Sequence, residues 1–353
     1  MALQMQRAMS HDERERFLRA LPKIELHLHL EGSVAAPTLV ELARKHGIVL
    51  PFGEIDELYR FNDLAEFLQM YDVVCDAMRD ADDFRRVTYE ALARVADSGG
   101  RYVEMFFSPQ PHADRNGVPY ARMLDGILAG MGEAETDFGI AARLIPAHNR
   151  ELGPERGLAF VEMVLADRRD EVIGIGLDYL ENDPVPFAAM YERARRGGLH
   201  LTAHAGEIGP AAFIRDSLEL LGCERIDHGY HIVDDPQLLE DCRAAGTFFT
   251  ACPTTTTYTT EWRDLSAPDH AIRRMLEGGL SLTINTDDPG LMRTTLLDEY
   301  RFIAAMGCTL EQLKTISLNG VRASWLEPQT KQSWLAAWST EIDQLVASVA
   351  AGT

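Results

Sequence analysis

The run Ile24-Glu25-Leu26-His27-Leu28-His29 alternates in side-chain character with a period of two and closes on two histidines. Successive side chains of a β-strand point to opposite faces, so this alternation reads as a strand. It sends the imidazoles of His27 and His29 to the same face, which in a closed sheet is the interior. A lone buried histidine is usually a hydrogen-bonded structural residue. Two at i, i+2 at the end of an apolar strand point instead to a metal.

Seven further short apolar runs follow: Tyr102–Phe107, Ile140–Pro146, Val172–Leu177, His200–His204, Arg225–His228, Thr247–Ala251 and Ser281–Thr286. Between them lie amphipathic stretches at Pro37–His46, Asp83–Asp97, Pro154–Arg168, Pro184–Arg196, Ala211–Leu221, Pro236–Ala245 and Ala271–Glu277. Several begin near Pro, Asp or Ser and end at Gly, the usual start and stop signals of helices. Eight buried-strand runs alternating with helices predict an α/β chain folded as a (β/α)8 TIM barrel. The rival, a doubly wound open sheet, lacks its usual phosphate signatures, since no GxGxxG or GxxxxGK[ST] follows a strand.

Two stretches depart from the alternation. Glu54–Met78 reads as extra helices after strand 1, expected to form a lid over the barrel mouth. Met292–Thr353 reads as a helical C-terminal tail, strongest at Thr309–Leu318 and Lys331–Val349, adding core and edge cover. No linker, tandem repeat or charge block divides the chain, so residues 1–353 are expected to form one domain with the insertion 54–78 inside it.

The formal net charge is -21, from 55 acidic against 34 basic side chains. That field repels phosphate backbones and anionic lipid surfaces, which excludes nucleic acid and membrane as partners but not a neutral base or nucleoside. Met1–Lys23 carries Arg7, Asp12, Glu13, Arg14 and Glu15, so neither a signal peptide nor a membrane span is expected. Five cysteines with no CxxC pair read as reduced thiols in a cytoplasmic protein.

The polar residues that could carry chemistry cluster at the C-terminal ends of the predicted strands, the catalytic face of barrel enzymes. His204 ends the fifth strand in Thr202-Ala203-His204-Ala205-Gly206-Glu207. Glu207 is either a helix-cap or surface carboxylate, or an acid held beside a ligand. His228 ends the sixth strand in Arg225-Ile226-Asp227-His228-Gly229, and Asp287 and Asp288 follow the eighth. A helix cap beside Pro289 accounts for Asp288 alone but not for both acids. Three neutral histidines and one carboxylate suit Zn²⁺ with a position left for water, whose pKa the metal lowers to about 7. One metal is expected, because the fourth strand, Val172-Ile173-Gly174-Ile175-Gly176-Leu177-Asp178, has no lysine to bridge a second. His112, His148 and His231 are weaker candidates for the mouth, and His11, His46, His200 and His270 read as structural or solvated.

The ordered set His-x-His, His-Ala-Gly-Glu, Asp-His-Gly and Thr-Asp-Asp-Pro strongly resembles the adenosine deaminase family of barrel hydrolases, over roughly Leu21 to Leu326. The resemblance implies zinc-dependent hydrolytic deamination of a 6-aminopurine nucleoside or base: adenosine to inosine, or adenine to hypoxanthine, with water as co-substrate and ammonia released. It assigns one zinc ion to His27, His29, His204 and Asp287. It makes Glu207 the proton donor to purine N1 and Asp288 the partner of N7. His228 would orient the zinc-bound hydroxide and help remove its proton. For Glu207 to act as an acid near neutrality, burial must raise its pKa.

Several positions depart from the adenosine-specific pattern. Glu31 stands where many adenosine deaminases carry an aspartate that meets the ribose 5′-hydroxyl, and Phe106 lies near a usual arginine. The runs Phe106-Phe107-Ser108-Pro109-Gln110 and Gly174-Ile175-Gly176-Leu177-Asp178 look more like an adenine deaminase branch, although Tyr179-Leu180-Glu181-Asn182 departs from that branch too. The glycine whose N–H meets purine N3 falls at Gly176 or near Leu180. Substrate contacts are therefore expected from Glu31, Gly176, Phe106 and Asp288, with the substrate open between adenosine, adenine and a modified nucleoside such as aminodeoxyfutalosine. The family's Cys-Pro-x-Ser-Asn is replaced by Cys252-Pro253-Thr254-Thr255-Thr256-Thr257-Tyr258. These threonines form either a loop that bonds its own backbone or a reshaped wall of the site.

Three rivals are weaker. A barrel that opens cyclic amides or esters would carry a bridging lysine or lack the acid Glu207. A nucleic-acid deaminase would carry H-x-E with P-C-x-x-C on a basic surface. A lapsed barrel acting as a binding protein would have lost a ligand or an acid, and all seven positions are filled.

Overall fold

The computed structural model describes residues 10–351, so readings of the first nine and last two residues lie outside the described residues. The strands β1 (Lys23–His29), β2 (Gly100–Phe107), β3 (Ala141–Asn149), β4 (Gly174–Asp178), β5 (His200–Ala205), β6 (Arg225–His228), β7 (Phe248–Ala251) and β8 (Ser281–Ile284) run in chain order. Each pairs in parallel with the next. The chain just beyond β8 then returns to β1: the Asp287 N–H donates to His27 O and the His29 N–H to Asp287 O, both at 2.8 Å. This bridge closes the (β/α)8 barrel and excludes the open sheet. The predicted strands are all present with ends shifted by a few residues. Val172 makes only an isolated bridge to Leu144, so β4 proper starts at Gly174.

Strands enclosed by helices are buried on both faces, and every residue of β1 is buried. Most polar side chains inside the barrel find partners there. Glu104 on β2 meets Arg225 on β6 at 2.5 Å, and the Arg225 guanidinium lies 4.0 Å from the ring centroid of Trp325. The tail that supplies Trp325 is helical at Leu296–Ala305, Leu310–Ala323 and Pro328–Ala351. Thr309 and Gln312 form a capping box at the start of the second of these.

The segment 54–78 holds a short turn, Ile55–Tyr59, and a helix, Leu64–Ala77, whose N-cap Asp63 accepts from the Glu66 N–H. Helix Tyr120–Phe138 escapes sequence periodicity because glycines interrupt its apolar stripe. The reason lies in packing: a Cβ on Gly126 would stand 2.1 Å from the Ala81 carbonyl oxygen, and one on Gly130 2.3 Å from that of Arg85. These glycines let two helices approach backbone to backbone. The threonine run is also helical, over Pro253–Thr259. No helix among the described residues is long and apolar enough to cross a membrane.

Candidate active site

At the C-terminal mouth of the barrel a cavity opens between the strand ends and helix Leu64–Ala77. His29, His204, Glu207, His228, Asp287 and Asp288 line it. His27 lies beneath, fully buried.

Strand alternation does what the sequence predicts. His27 Nε2 lies 3.1 Å from Asp287 Oδ1, His29 Nε2 lies 3.4 Å from the same oxygen, and His29 Nε2 faces His204 Nε2 at 3.1 Å. One ligand atom from each of His27, His29, His204 and Asp287 falls within 4.8 Å of all the others. His27 Nε2 is buried yet has no hydrogen-bond partner among the described residues, despite its closeness to Asp287. Nitrogens crowded together with one carboxylate oxygen, rather than paired through hydrogens, are a donor set that fits a metal ion.

Behind the imidazoles stands Asp227. Its Oδ1 lies 3.6 Å from His27 Nδ1 and its Oδ2 3.8 Å from His204 Nδ1. Thr202 donates to Oδ2 at 2.8 Å and Thr250 to Oδ1 at 3.1 Å. Carboxylates behind ligand histidines fix their ring orientation. Burial disfavours charge on His27, but Asp287 and Asp227 outweigh it and raise its pKa to about 10. Burial lowers His29 to about 4 and pushes His204 down as well.

Asp227 and His228 are adjacent, yet both face the site. Alternation fails here because His228 has φ 66°, and Asp287 has φ 62°. Left-handed backbone at non-glycine residues is sparsely populated and clusters at functional sites. The turn at His228 brings its Nε2 to 3.7 Å from Glu207 Oε2 and 3.8 Å from Asp287 Oδ2, while Nδ1 is 3.2 Å from Tyr230 Oη. Burial, then the charge on His27, lowers His228 to about 3, so its imidazole is neutral.

Glu207 sits in the loop after β5. Burial and the neighbouring Asp287 raise its pKa to about 8, with a hydrogen bond from Thr259 opposing. The loop is clamped by Glu181, whose Oε1 accepts from the Gly206 N–H and whose Oε2 accepts from the N–H groups of Glu207, Ile208 and Gly209. Burial and the adjacent Asp287 charge push Asp288 well up. Asp288 Oδ1 occupies the space a side chain on Gly32 would need, since a Cβ there would lie 1.6 Å away.

The threonine helix plays both of its expected parts. Thr256 and Thr257 bond back to the carbonyls of Pro253 and Thr254, each at 2.7 Å. Thr255 instead donates to Asp287 Oδ2 at 2.8 Å, and Thr259 to Glu207 Oε1 at 2.6 Å.

Three expected substrate contacts do not reach the cavity. Glu31 is fully buried, accepting from the Ser108 N–H at 3.0 Å, the Tyr71 hydroxyl at 2.9 Å and pairing with His112 Nε2 at 2.9 Å. Phe106 stacks on His29 with ring centroids 5.0 Å apart, forming the floor beneath the imidazoles. Gly176 packs against that ring, where a Cβ would stand 2.8 Å from Phe106 Cε1. Tyr71, Asp178, Tyr179, Thr255 and Thr259 line the wall instead, and sequence reading singles out none of them individually. His112, His148 and His231 do not line it.

Known proteins resemble this chain over most of its length. Residues 22–339 match the adenosine deaminase family. Adenine deaminase of Rhodospirillum rubrum is 36% identical over 321 residues, covering 89% of this chain and 95% of that one. Adenine deaminase of Ralstonia nicotianae is 35% identical, covering 90% and 93%. A crystal structure of an amidohydrolase from Burkholderia ambifaria with bound Zn superposes with a TM-score of 0.91 at 37% identity, covering 99% of this chain and 98% of that one. Adenine deaminase from Arthrobacter aurescens superposes at 0.87 and 32% identity, covering 93% and 99%. With a family match across most of its length and a metal-competent donor set at the barrel mouth, the chain belongs to the adenosine deaminase family and is a hydrolytic aminohydrolase.

Proposed function

We propose that this chain deaminates a free 6-aminopurine base, adenine to hypoxanthine and ammonia, with one zinc ion held by His27, His29, His204 and Asp287. The observation that carries the reading is the meeting of that donor set with Glu207 and His228 in one buried cavity. The choice of base over nucleoside is supported by the bacterial relatives named adenine deaminases and by the enclosure of Glu31 away from the cavity. Segment 54–78 is read as a lid within a single hydrolase domain, since Leu64, Phe67, Leu68 and Tyr71 wall the cavity. Five free cysteines are in keeping with a reducing, cytoplasmic setting.

A zinc ion held by His27, His29, His204 and Asp287 would lower the pKa of a bound water and so supply the nucleophile. The remaining chemistry belongs to the side chains. Glu207, kept protonated by burial, delivers its proton to N1, which makes C6 electrophilic. The neutral His228 accepts a hydrogen bond and then the proton of the attacking water. Asp288 hydrogen-bonds N7 and fixes the ring in its plane. A C6–O bond forms; the amino group takes a proton back from His228, the C6–N bond breaks and ammonia leaves, while the C6 hydroxyl returns its proton to Glu207 as the 6-oxopurine forms.

Metal analysis of the purified protein, with kcat/KM for adenine, adenosine and a 5′-modified nucleoside followed by ultraviolet absorbance, tests the reading. The expected result is bound zinc and a strong preference for adenine. A metal-free protein that turns over no 6-aminopurine overturns it, and a preference for adenosine overturns the choice of base.

A further inference from the structure

Asp178, the last residue of β4, is 3% exposed and lines the cavity. Its Oδ2 accepts from Ser108 Oγ at 2.8 Å, and its main-chain oxygen accepts from Arg150 Nε at 3.1 Å. Ser108 is itself fixed by Glu31 through its N–H and lies 3.1 Å from the Tyr71 hydroxyl. The carboxylate is thus held in one orientation, while Oδ1 has no hydrogen-bond partner among the described residues. A buried acceptor left unpaired is costly and rare, so an oxygen held this way at a cavity wall calls for a donor from the ligand.

The orientation of that ligand rests on the proposed deamination of a purine. N1 faces Glu207 beyond β5 and N7 faces Asp288 beyond β8. Strand β4 stands across the eight-stranded barrel from β8. A purine is rigid and flat, so the edge opposite N7 and C6, bearing N3 and N9, points toward β4. When N7 is a hydrogen-bond acceptor, a free base carries its ring hydrogen on N9. A nucleoside carries carbon there and has no hydrogen to give. The wall beside Asp178 is closed by Tyr179, whose hydroxyl donates to Asp72 at 3.0 Å, and by Tyr71, whose ring centroid lies 5.8 Å from that of Tyr179.

We propose that Asp178 is a specificity-determining residue: its Oδ1 accepts the N9–H of a free purine base, and an N9-substituted purine leaves that oxygen buried and unpaired. Sites built to bond a substrate N–H reject analogues that lack it by roughly 10⁴-fold.

The test compares kcat/KM for adenine and 9-methyladenine in the zinc-loaded wild type, Asp178→Asn and Asp178→Ala, with zinc content and circular dichroism measured for each. The wild type should prefer adenine by roughly 10⁴-fold. Asp178→Ala should lose most of its rate on adenine, mainly through KM, and its preference should fall below about tenfold, while Asp178→Asn, which keeps one acceptor oxygen, should fall between it and the wild type. A wild type that handles both purines equally overturns the proposal without any variant. An Asp178→Ala variant that folds, binds zinc and keeps the full preference overturns it as well. No turnover of either purine by the wild type instead removes the deaminase function itself, and the role of Asp178 with it.

Discussion

Thr259 Oγ1 donates a 2.6 Å hydrogen bond to Glu207 Oε1. One helical turn earlier Thr255 donates to Asp287 at 2.8 Å. Residues four apart lie on the same helix face, so helix Pro253–Thr259 presents two hydroxyls in register to Glu207 and to Asp287. A further carboxylate, Glu299, holds the start of that helix by accepting from the Thr254 N–H at 2.9 Å.

This contact sets a pH dependence. The proposed chemistry needs Glu207 protonated, and burial raises its pKa to about 8. Activity should therefore hold through neutrality and fall as pH rises through about 8. Thr259 opposes that shift by bonding the charged form, so Thr259→Val should move the alkaline limb of kcat/KM upward. Loss of the orienting bond should cost about tenfold in kcat, the equivalent of ~1.4 kcal/mol. Zinc content should stay unchanged. A pH–rate profile that shifts neither in height nor in limb would remove Thr259 from the machinery.

Metal uptake should release a proton from His27. Asp287 and Asp227 raise that imidazole to about 10, whereas His29 and His204 are pushed down and are already neutral near pH 7. A ligand histidine must be neutral, so binding displaces about one proton and affinity should rise roughly tenfold per pH unit between about pH 6 and 8. Competition against a chelator of known affinity measures the slope. A flat profile contradicts the assignment of His27 as the proton-bearing ligand. His27→Ala should lose the metal altogether and melt at a lower temperature, and full occupancy in that variant counts equally against ligation.

The parts of this protein that are legible in sequence are those governed by short periods. Alternation alone places His27 and His29 on one face, and the ends of β5, β6 and β8 carry the other polar groups because a barrel concentrates chemistry there. What escapes is set by contacts between distant residues. Thr259 meets Glu207 across 52 residues and Ser108 meets Asp178 across 70, with nothing local to mark either pair. Asp227 escapes for another reason, since two adjacent residues face the same site only because His228 adopts φ 66°. Glu31 shows the limit of carrying a role over by motif. Its neighbours Tyr71, Ser108 and His112 turn its carboxylate into a buried bracket behind the wall.

Inside the barrel, stability should hinge on Glu104. Its ion pair with Arg225 is completely enclosed, with both side chains at most 1% exposed. Removing one partner of such a pair leaves an uncompensated buried charge and costs about 3–5 kcal/mol, while replacing both by apolar groups of similar size is often nearly neutral. Glu104→Leu should therefore destabilise the protein strongly in urea unfolding, and the double variant Glu104→Leu/Arg225→Met should recover much of the loss. A double variant no more stable than the single one would show that Trp325, stacked 4.0 Å from the guanidinium, depends on the cation itself.

The clamp by Glu181 separates the position of the acid from its chemistry. One carboxylate accepts from four successive N–H groups, Gly206 to Gly209, with the three on Oε2 at 2.8–3.0 Å. Gly209 permits this closeness, because a Cβ there would stand 2.8 Å from the Glu181 carboxyl carbon. Four backbone donors converging on one charged acceptor hold the loop by charge-assisted bonds. Glu181→Ala should free the loop while leaving every proposed metal ligand in place. The expected result is unchanged zinc content, faster amide hydrogen exchange at residues 206–209, and a fall in kcat of roughly 10–100-fold, since general acid catalysis is worth about 10²–10⁴ only when the acid is in reach. Glu181→Gln, which keeps one acceptor oxygen, should fall between the two. Fast exchange with an undiminished rate would mean that Thr259 alone positions Glu207, and slow exchange in the alanine variant would mean that the loop holds its shape without the clamp.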